Sequence, residues 1–342
     1  MKIMLNEDLL LKNYDYKLDE SLIAKYPVLP KEEARLLVYY RKTDELKHLK
    51  FKDLNQILPQ CSIIFNDSKV IKARIYGHKI SGAKVELFFH KALNNFEFIV
   101  QLRARVKKDD VLLFAEGLKA RVIELLPDGL RKVEFFKEKK LEHKELLEFL
   151  EKNGHIPLPP YIKRADEKAD EKEYQSIFAK NLGSVAAPTA SLHFSKELLK
   201  ELEKKHKLYY LSLHIGAGTF KNVECENINE HKMHEEAFFI DENLEKILLS
   251  EEKILAVGTT VARTIENFQR TGQKTGLCSL FLHPKNPPQR IDYLLTNFHL
   301  PKSSLIMLVS AFIGRKKTLE LYELAMKERY RFYSYGDAML IL

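Results

Sequence analysis

A chain of 342 residues, 45% of them apolar and carrying a net charge of +8, is long enough for two domains and a sizeable core. The basic balance points to a polyanionic partner such as RNA or DNA, or to an acidic surface, and a generally basic composition fits it as well. Cys61, Cys225 and Cys278 lie too far apart to read as a disulfide framework, which indicates a reducing compartment, and no apolar run approaches the ~18 residues of a membrane-spanning helix.

Glu7 and Asp8 beside a short apolar patch, with no basic segment before it, do not read as a secretory signal. Asp19 can cap a short helix that stops near Pro27, and Leu36 to Tyr40 is a strand candidate. From residue 61 to 136 the texture changes. Ile63 to Phe65, Val70 to His78, Lys84 to His90, Phe96 to Leu102, Val111 to Phe114, Leu118 to Leu126 and Arg131 to Phe136 read as successive strands. Ser81-Gly82, Asn94-Asn95 and Pro127-Asp128-Gly129 mark turns between them. Closely spaced strands with short turns predict a small antiparallel barrel. Within it Arg103, Arg105, Lys107 and Lys108 form a basic cluster that can meet phosphates, and a solvated face explains it as well.

Leu141 to Glu151 predicts a helix closed by Asn153-Gly154, followed by an extended, proline-ruled segment from His155 to Arg164. Ala165 to Lys172 holds two Ala-Asp-Glu-Lys copies and reads as a solvated helix or a mobile loop with no chemistry. The chain from Gly183 to Phe194 is small, apolar and hydroxyl-rich, and feeds a helix that Ser195 can cap. Beyond it, strands near 208–213, 253–257, 276–282 and 291–297 alternate with helices, two of them near 303–313 and 318–330, before a last strand at 339–342. The pattern predicts an α/β fold: a large mixed α/β domain from residues 1–60 and 153–342, with an antiparallel β-barrel domain inserted over 61–152.

Ligands in such folds collect at loops after the carboxyl ends of strands. His214, Gly216, Gly218, Thr219, Gly258, Thr259 and Thr260 all fall there, and Thr189 and Ser191 lie in the comparable loop before the capped helix. His231 and His234 stand three apart, the spacing of one helical face, but no carboxylate or cysteine sits at zinc spacing, so no metal is expected.

Six ordered segments together carry a resemblance. They are Gly183 to Phe194, Leu213-His-Ile-Gly-Ala-Gly-Thr-Phe220, Glu230-His-Lys-Met-His234, Val257-Gly-Thr-Thr-Val-Ala-Arg263, Leu295-Thr-Asn-Phe-His-Leu-Pro-Lys-Ser303 and Tyr330-Arg-Phe-Tyr-Ser-Tyr-Gly-Asp337. The set resembles that of the S-adenosylmethionine:tRNA ribosyltransferase-isomerases of queuosine biosynthesis, over nearly the whole chain. Tyr26-Pro27 with Pro30, Ala34-Arg35, and Asn66-Asp67-Ser68 with Val70 and Ala73-Arg74 resemble further family motifs.

The resemblance implies transfer and isomerisation of the ribosyl part of S-adenosylmethionine onto 7-aminomethyl-7-deazaguanine at the tRNA wobble position. Adenine and methionine leave, and epoxyqueuosine-tRNA forms. A base must reach the carbon beside the sulfonium and a donor the departing adenine; His193, His214, His234 and His299 are the candidates. Arg263 or Lys302 can hold the methionine carboxylate, and Phe194, Phe220 or Phe298 can face the sulfonium. Tyr330, Arg331, Tyr333 and Tyr335 offer stacking and charge to a splayed base, and Asn66, Asp67, Arg74, Arg103, Arg105 and Asp337 complete the expected tRNA contacts. The expected partner is a tRNA of the Tyr, His, Asp or Asn acceptors, for a cytoplasmic monomer with no membrane attachment and no obligate protein partner. An S-adenosylmethionine-dependent RNA methyltransferase and a non-catalytic tRNA-binding protein remain the alternatives. The dinucleotide-type glycine fingerprint is absent, which weakens the first of them.

Overall fold

In this computed structural model residues 6–220 and 222–342 are described, Asp128 and Phe220 through their backbones alone. The Phe220 side chain proposed above as a sulfonium face therefore lies outside the described set.

The large part of the molecule is a nine-stranded mixed sheet. Its order runs Thr275–Cys278, Glu236–Phe239, Lys207–Leu213, Ser62–Asn66, Ile254–Val257, Tyr293–Asn297, Ala338–Ile341, Arg35–Tyr40 and Glu45–Lys50. The middle four strands, from Lys207–Leu213 to Tyr293–Asn297, are parallel to one another. Ser62–Asn66 and Ile254–Val257 are buried at every position, as expected where both sheet faces are covered and the strand interior, Ile63 to Phe65 and Ile254 to Val257, is apolar. One face packs Ile64, Leu213, Ala256 and Leu294 against helices Glu242–Leu248, Thr259–Thr271, Ser304–Ile313 and Arg315–Lys327. The other packs Ile63, Phe65, Leu255 and Leu295 under Phe51, Phe194 and helix Lys196–Glu203.

The predicted barrel is present. It closes from Arg74–Lys79, Lys84–Ala92, Phe98–Arg103, Val111–Leu113, Lys119–Leu125 and Leu130–Phe136, with every pair antiparallel. Val85, Leu87 and Phe89 alternate into its core, the period a half-solvated strand requires. The strand at Ser62–Asn66, read with the barrel strands in the sequence, lies at the centre of the large sheet, and the barrel's own first strand is Arg74–Lys79. Periodicity alone cannot separate these roles, because a short apolar run suits either sheet. A small parallel pair, Ser68–Val70 with Asn181–Ser184, ties the entry to the barrel to its exit.

Local signals act as the sequence suggests. Ser195 caps Lys196–Glu203, its Oγ accepting from the Leu198 N–H at 3.1 Å. Gly154 closes His143–Asn153. Asp19 caps only a single 3-10 turn, Glu20–Leu22. His231 and His234 follow another such turn, Ile228–Glu230, and share no helix. The repeat at 165–172 is not merely solvated: Asp170 is 2% exposed.

Candidate active site

At the carboxyl ends of Ile254–Val257 and Tyr293–Asn297 a cleft opens. Its floor is Ala186 to Ala190, one wall is Gly258 to Thr260, another is Thr296 to Leu300, and Tyr161, Tyr333 and Ser334 stand over it. Among the described residues no Asp, Glu, Lys or Arg lines this cleft. Polarity comes from hydroxyls, Asn222, Asn297, His299 and backbone.

Two helices begin at the cleft and differ in one respect. Ser303 caps Ser304–Ile313 with its own Oγ, which accepts from the Ile306 N–H. Gly258, before Thr259–Thr271, has no side chain to give and adopts φ 94°, a conformation open to glycine. The first N–H groups of that helix lack intrahelical partners and its dipole end is positive, so this wall favours an anionic group. The Thr260 Oγ1 there is buried and has no hydrogen-bond partner, a cost that a bound ligand would relieve.

The histidines separate into two kinds. His193 is 5% exposed and outside the cleft lining; its Nε2 accepts from the Asn297 amide at 3.2 Å, and its ring lies 4.9 Å from that of Phe51. Burial, with Arg331 and Lys31 adding to it, pushes its pKa down to about 3. The same Asn297 accepts from Thr189 Oγ1 at 2.9 Å, so His193 supports a cleft residue from behind. His299 does line the cleft, sharing a 2.9 Å hydrogen bond with Thr296 Oγ1, and burial holds it too at about 3. Both imidazoles are neutral at physiological pH and suited to fixed hydrogen bonding.

His214 and His234 belong to a second, larger opening between the barrel and the sheet. Arg74, Lys91, Arg103 and Lys232 line it against Glu86 and Glu235. Ile215, directly after His214, is part of the lining of both openings. Glycines back both rings: a Cβ on Gly183 would stand 2.6 Å from His214 Nδ1, and one on Gly218 would stand 2.1 Å from His234 Cδ2. His214 Nδ1 is buried without a hydrogen-bond partner. Burial lowers its pKa, and Asp67 opposes that in part.

Other expected residues are placed elsewhere. Arg263 does not reach the cleft. It is 5% exposed, donates to Glu236 at 2.6 Å, and gives its remaining N–H groups to the Leu280 and Cys278 carbonyls. Glu236 also accepts from the Gly216 N–H at 3.0 Å and from Thr219 Oγ1 at 3.4 Å, so this pair anchors the loop between the two openings. Phe194 packs on Phe51 and Phe65 in the core and does not line the cleft. Ser191 is likewise buried off the cleft. Lys302 pairs with Asp15 at 2.6 Å. Asn66 bonds both the N–H and the C=O of Leu213, stitching two strands, and Asp67 holds Ser212 and Asn181. Asp337 accepts from the N–H groups of Arg35 and Arg331, and Tyr335 donates to Asp170 at 2.8 Å. Tyr330 is fully buried beneath Arg35. Arg105 is exposed and away from both openings, while Arg74 and Arg103 flank Glu86 inside the larger one. Thr189, Thr219, Gly258, Thr259, Thr260, His299 and Tyr333 are brought together in the small cleft, and Gly216 and Gly218 line the larger one.

Sequence reasoning missed Tyr161, Tyr174, Asn222, Thr296 and Asn297 as cleft residues. Thr296 and Asn297 lie inside a motif already singled out, and their place at the end of a strand was the available signal. Among the described residues no group of three His, Cys, Asp or Glu side chains could hold a metal, and no helix is long and apolar enough to cross a membrane.

A cleft without charged side chains among the described residues, adjacent to a wider and mainly basic opening, suits an enzyme acting between a small ligand and a polyanion. The chain matches the family model described as Queuosine biosynthesis protein over residues 11–341. It is 64% identical to the S-adenosylmethionine:tRNA ribosyltransferase-isomerase of Campylobacter jejuni (strain RM1221), over 99% of this chain and 100% of that one. It is 57% identical to the protein of the same name from Campylobacter concisus, over 97% and 98%. The crystal structure of S-adenosylmethionine tRNA ribosyltransferase from Thermotoga maritima aligns with a TM-score of 0.54 and 30% identity, covering 96% of this chain and 100% of that one. The chain belongs to the queuosine biosynthesis family of S-adenosylmethionine:tRNA ribosyltransferase-isomerases.

Proposed function

We propose that this chain transfers and isomerises the ribosyl moiety of S-adenosylmethionine onto 7-aminomethyl-7-deazaguanine at the wobble position of tRNA, releasing adenine and methionine and leaving epoxyqueuosine. One observation carries the placement of the reaction: a cleft with no charged side chain among the described residues, ending on an uncapped helix N-terminus, shares Ile215 in its lining with a second cleft lined by Arg74, Lys91, Arg103 and Lys232. The first is assigned to S-adenosylmethionine. Its carboxylate suits the helix start at Gly258 to Thr260, and its sulfonium suits aromatic faces such as Tyr161 and Tyr333, whose ring centroids lie 4.5 Å apart. The anticodon loop suits the second, where cations meet phosphates and the wobble base can be splayed toward the small cleft.

In this reading His214, at the junction, takes the proton that must leave as the new bond forms. His299 and Thr296 offer fixed hydrogen bonds within the small cleft, and His193 holds Asn297 in place. His234 faces the tRNA side. The substrates are tRNAs of the Tyr, His, Asp and Asn acceptors, and the enzyme works as a cytoplasmic monomer without metal, as the family resemblance implies.

The ligand placement has a test in which two effects carry opposite signs. Thr260→Val removes a buried hydroxyl with no partner, so thermal stability is expected to hold or to rise by about 0.5–1 kcal/mol. S-adenosylmethionine affinity, measured by calorimetry or equilibrium dialysis, is expected to weaken about 2–10-fold. A destabilised variant with unchanged ligand affinity contradicts the assignment.

A further inference from the structure

The repeat at 165–172 contains a side chain that the reaction as described does not use. Asp170, 2% exposed, receives four hydrogen bonds on its two carboxylate oxygens. Arg164 grips it as a fork, Nη1 to Oδ2 and Nη2 to Oδ1, both at 2.7 Å. The Glu167 N–H donates to Oδ2 and the Tyr335 hydroxyl to Oδ1, each at 2.8 Å. The fork lowers the carboxyl pKa against the effect of burial, so the group is charged at neutral pH. Arg164 also stacks on the Tyr26 ring, 4.2 Å from its centroid.

Both segments held by this carboxylate carry a part of the small cleft. Arg164 ends the proline-ruled segment that presents Tyr161, after a turn whose Lys163 has φ 52°. Tyr335 directly follows Tyr333 and Ser334, and its ring meets that of Tyr174, another cleft residue, edge-on at 5.9 Å. Above the cleft the two segments touch through Tyr161 and Ser334, whose hydroxyls lie 2.7 Å apart, and through the Tyr161 and Tyr333 rings. Asp170 thus fastens from outside what Tyr161, Tyr333 and Ser334 close from within.

We propose that Asp170 is a positioning residue that clamps the Arg164 and Tyr335 segments together, and so sets Tyr161 and Tyr333 over the S-adenosylmethionine cleft. The inference rests on the assignment of that cleft to S-adenosylmethionine. Pro157, Leu158 and Pro160 of the Arg164 segment also line the tRNA-side opening, but Tyr161, nearest the clamp, and Tyr333 and Ser334 line the small cleft, so the larger effect falls on S-adenosylmethionine.

The experiment measures S-adenosylmethionine binding and steady-state kinetics for the full chain and for Asp170→Asn, Tyr335→Phe and Tyr161→Phe. In Asp170→Asn and Tyr335→Phe the KM and Kd for S-adenosylmethionine are expected to rise about 5–20-fold, with kcat and the KM for tRNA within about twofold. Tyr335→Phe removes one hydroxyl and keeps the ring, so it serves as the decisive variant where Asp170→Asn fails to fold. Combining Tyr335→Phe with Tyr161→Phe is expected to cost less than the product of the two single effects, because both act on one clamp. Unchanged S-adenosylmethionine affinity in Tyr335→Phe, or equal losses in kcat and in both KM values, overturns the proposal. Failure of the unmodified protein to bind S-adenosylmethionine overturns the cleft assignment itself, which separates the two readings.

Discussion

His214→Ala is expected to slow adenine release in a single turnover by about 10²–10⁴-fold, the range for loss of a positioned acid-base group, with tRNA affinity within a few fold. The expectation rests on place and charge state. His214 directly precedes the one residue that lines both openings, and Gly183 fixes its ring at a distance no other residue type would allow. A base must be neutral to accept a proton. Burial lowers the His214 pKa from its ordinary 6.5, so the side chain is neutral at pH 7 and protonates only on further acidification. The rate is therefore expected to stay level on lowering pH through neutrality and to decline below about 6.5, as the base becomes charged. A decline that begins above that value, or a wild-type rate in His214→Ala, removes this histidine from the chemistry. His193→Ala is the informative control: its effect is expected on S-adenosylmethionine affinity through Asn297 and Thr189, since its imidazole does not line the cleft.

Arg263→Ala is expected to destabilise the fold by about 3–5 kcal/mol, because Glu236 would be left as a buried charge without its partner. The two side chains are 6% and 2% exposed at a separation of 2.6 Å. Two carbonyls, of Leu280 and Cys278, would lose donors as well. Glu236 also holds the Gly216 N–H, so the loop from Gly216 to Thr219 would loosen with it, and S-adenosylmethionine binding would weaken as a consequence. Thermal unfolding with and without the ligand separates the possibilities. A large loss of Tm in the free protein fits a buried anchor. A wild-type Tm with a selective loss of ligand affinity would return Arg263 to the carboxylate-binding role that its motif suggested.

These two residues mark what could and could not be read from the sequence. Gly258-Thr259-Thr260 was legible as the wall of a cleft because a glycine between a strand and a helix, followed by hydroxyls, has a local geometric meaning. The helix cap at Ser195 and the barrel's alternation at Val85, Leu87 and Phe89 were legible for the same reason. Arg263 was not, because its role depends on Glu236, 27 positions away in sequence and on a strand, Glu236–Phe239, not adjacent to the one that leads into its own helix. Asp170 was hidden more deeply. Its repeat has the composition of a solvated segment, and the hydroxyl that buries it comes from 165 residues further on. His193 and His299 look alike within their motifs, yet one lines the cleft and the other lies behind Asn297, a difference made by tertiary packing alone. The central strand at Ser62–Asn66 was placed with the barrel because three apolar residues, Ile63 to Phe65, carry no record of which sheet they join.

The most direct test of the account is the mass of the tRNA after reaction. The protein is incubated with S-adenosylmethionine and tRNA bearing 7-aminomethyl-7-deazaguanine at the wobble position, and both the nucleoside and the small products are weighed. Free adenine, free methionine and a ribosyl-type gain on that nucleoside are the predicted result. A methyl gain with S-adenosylhomocysteine as the by-product, or tRNA bound and returned with its mass unchanged, would contradict it.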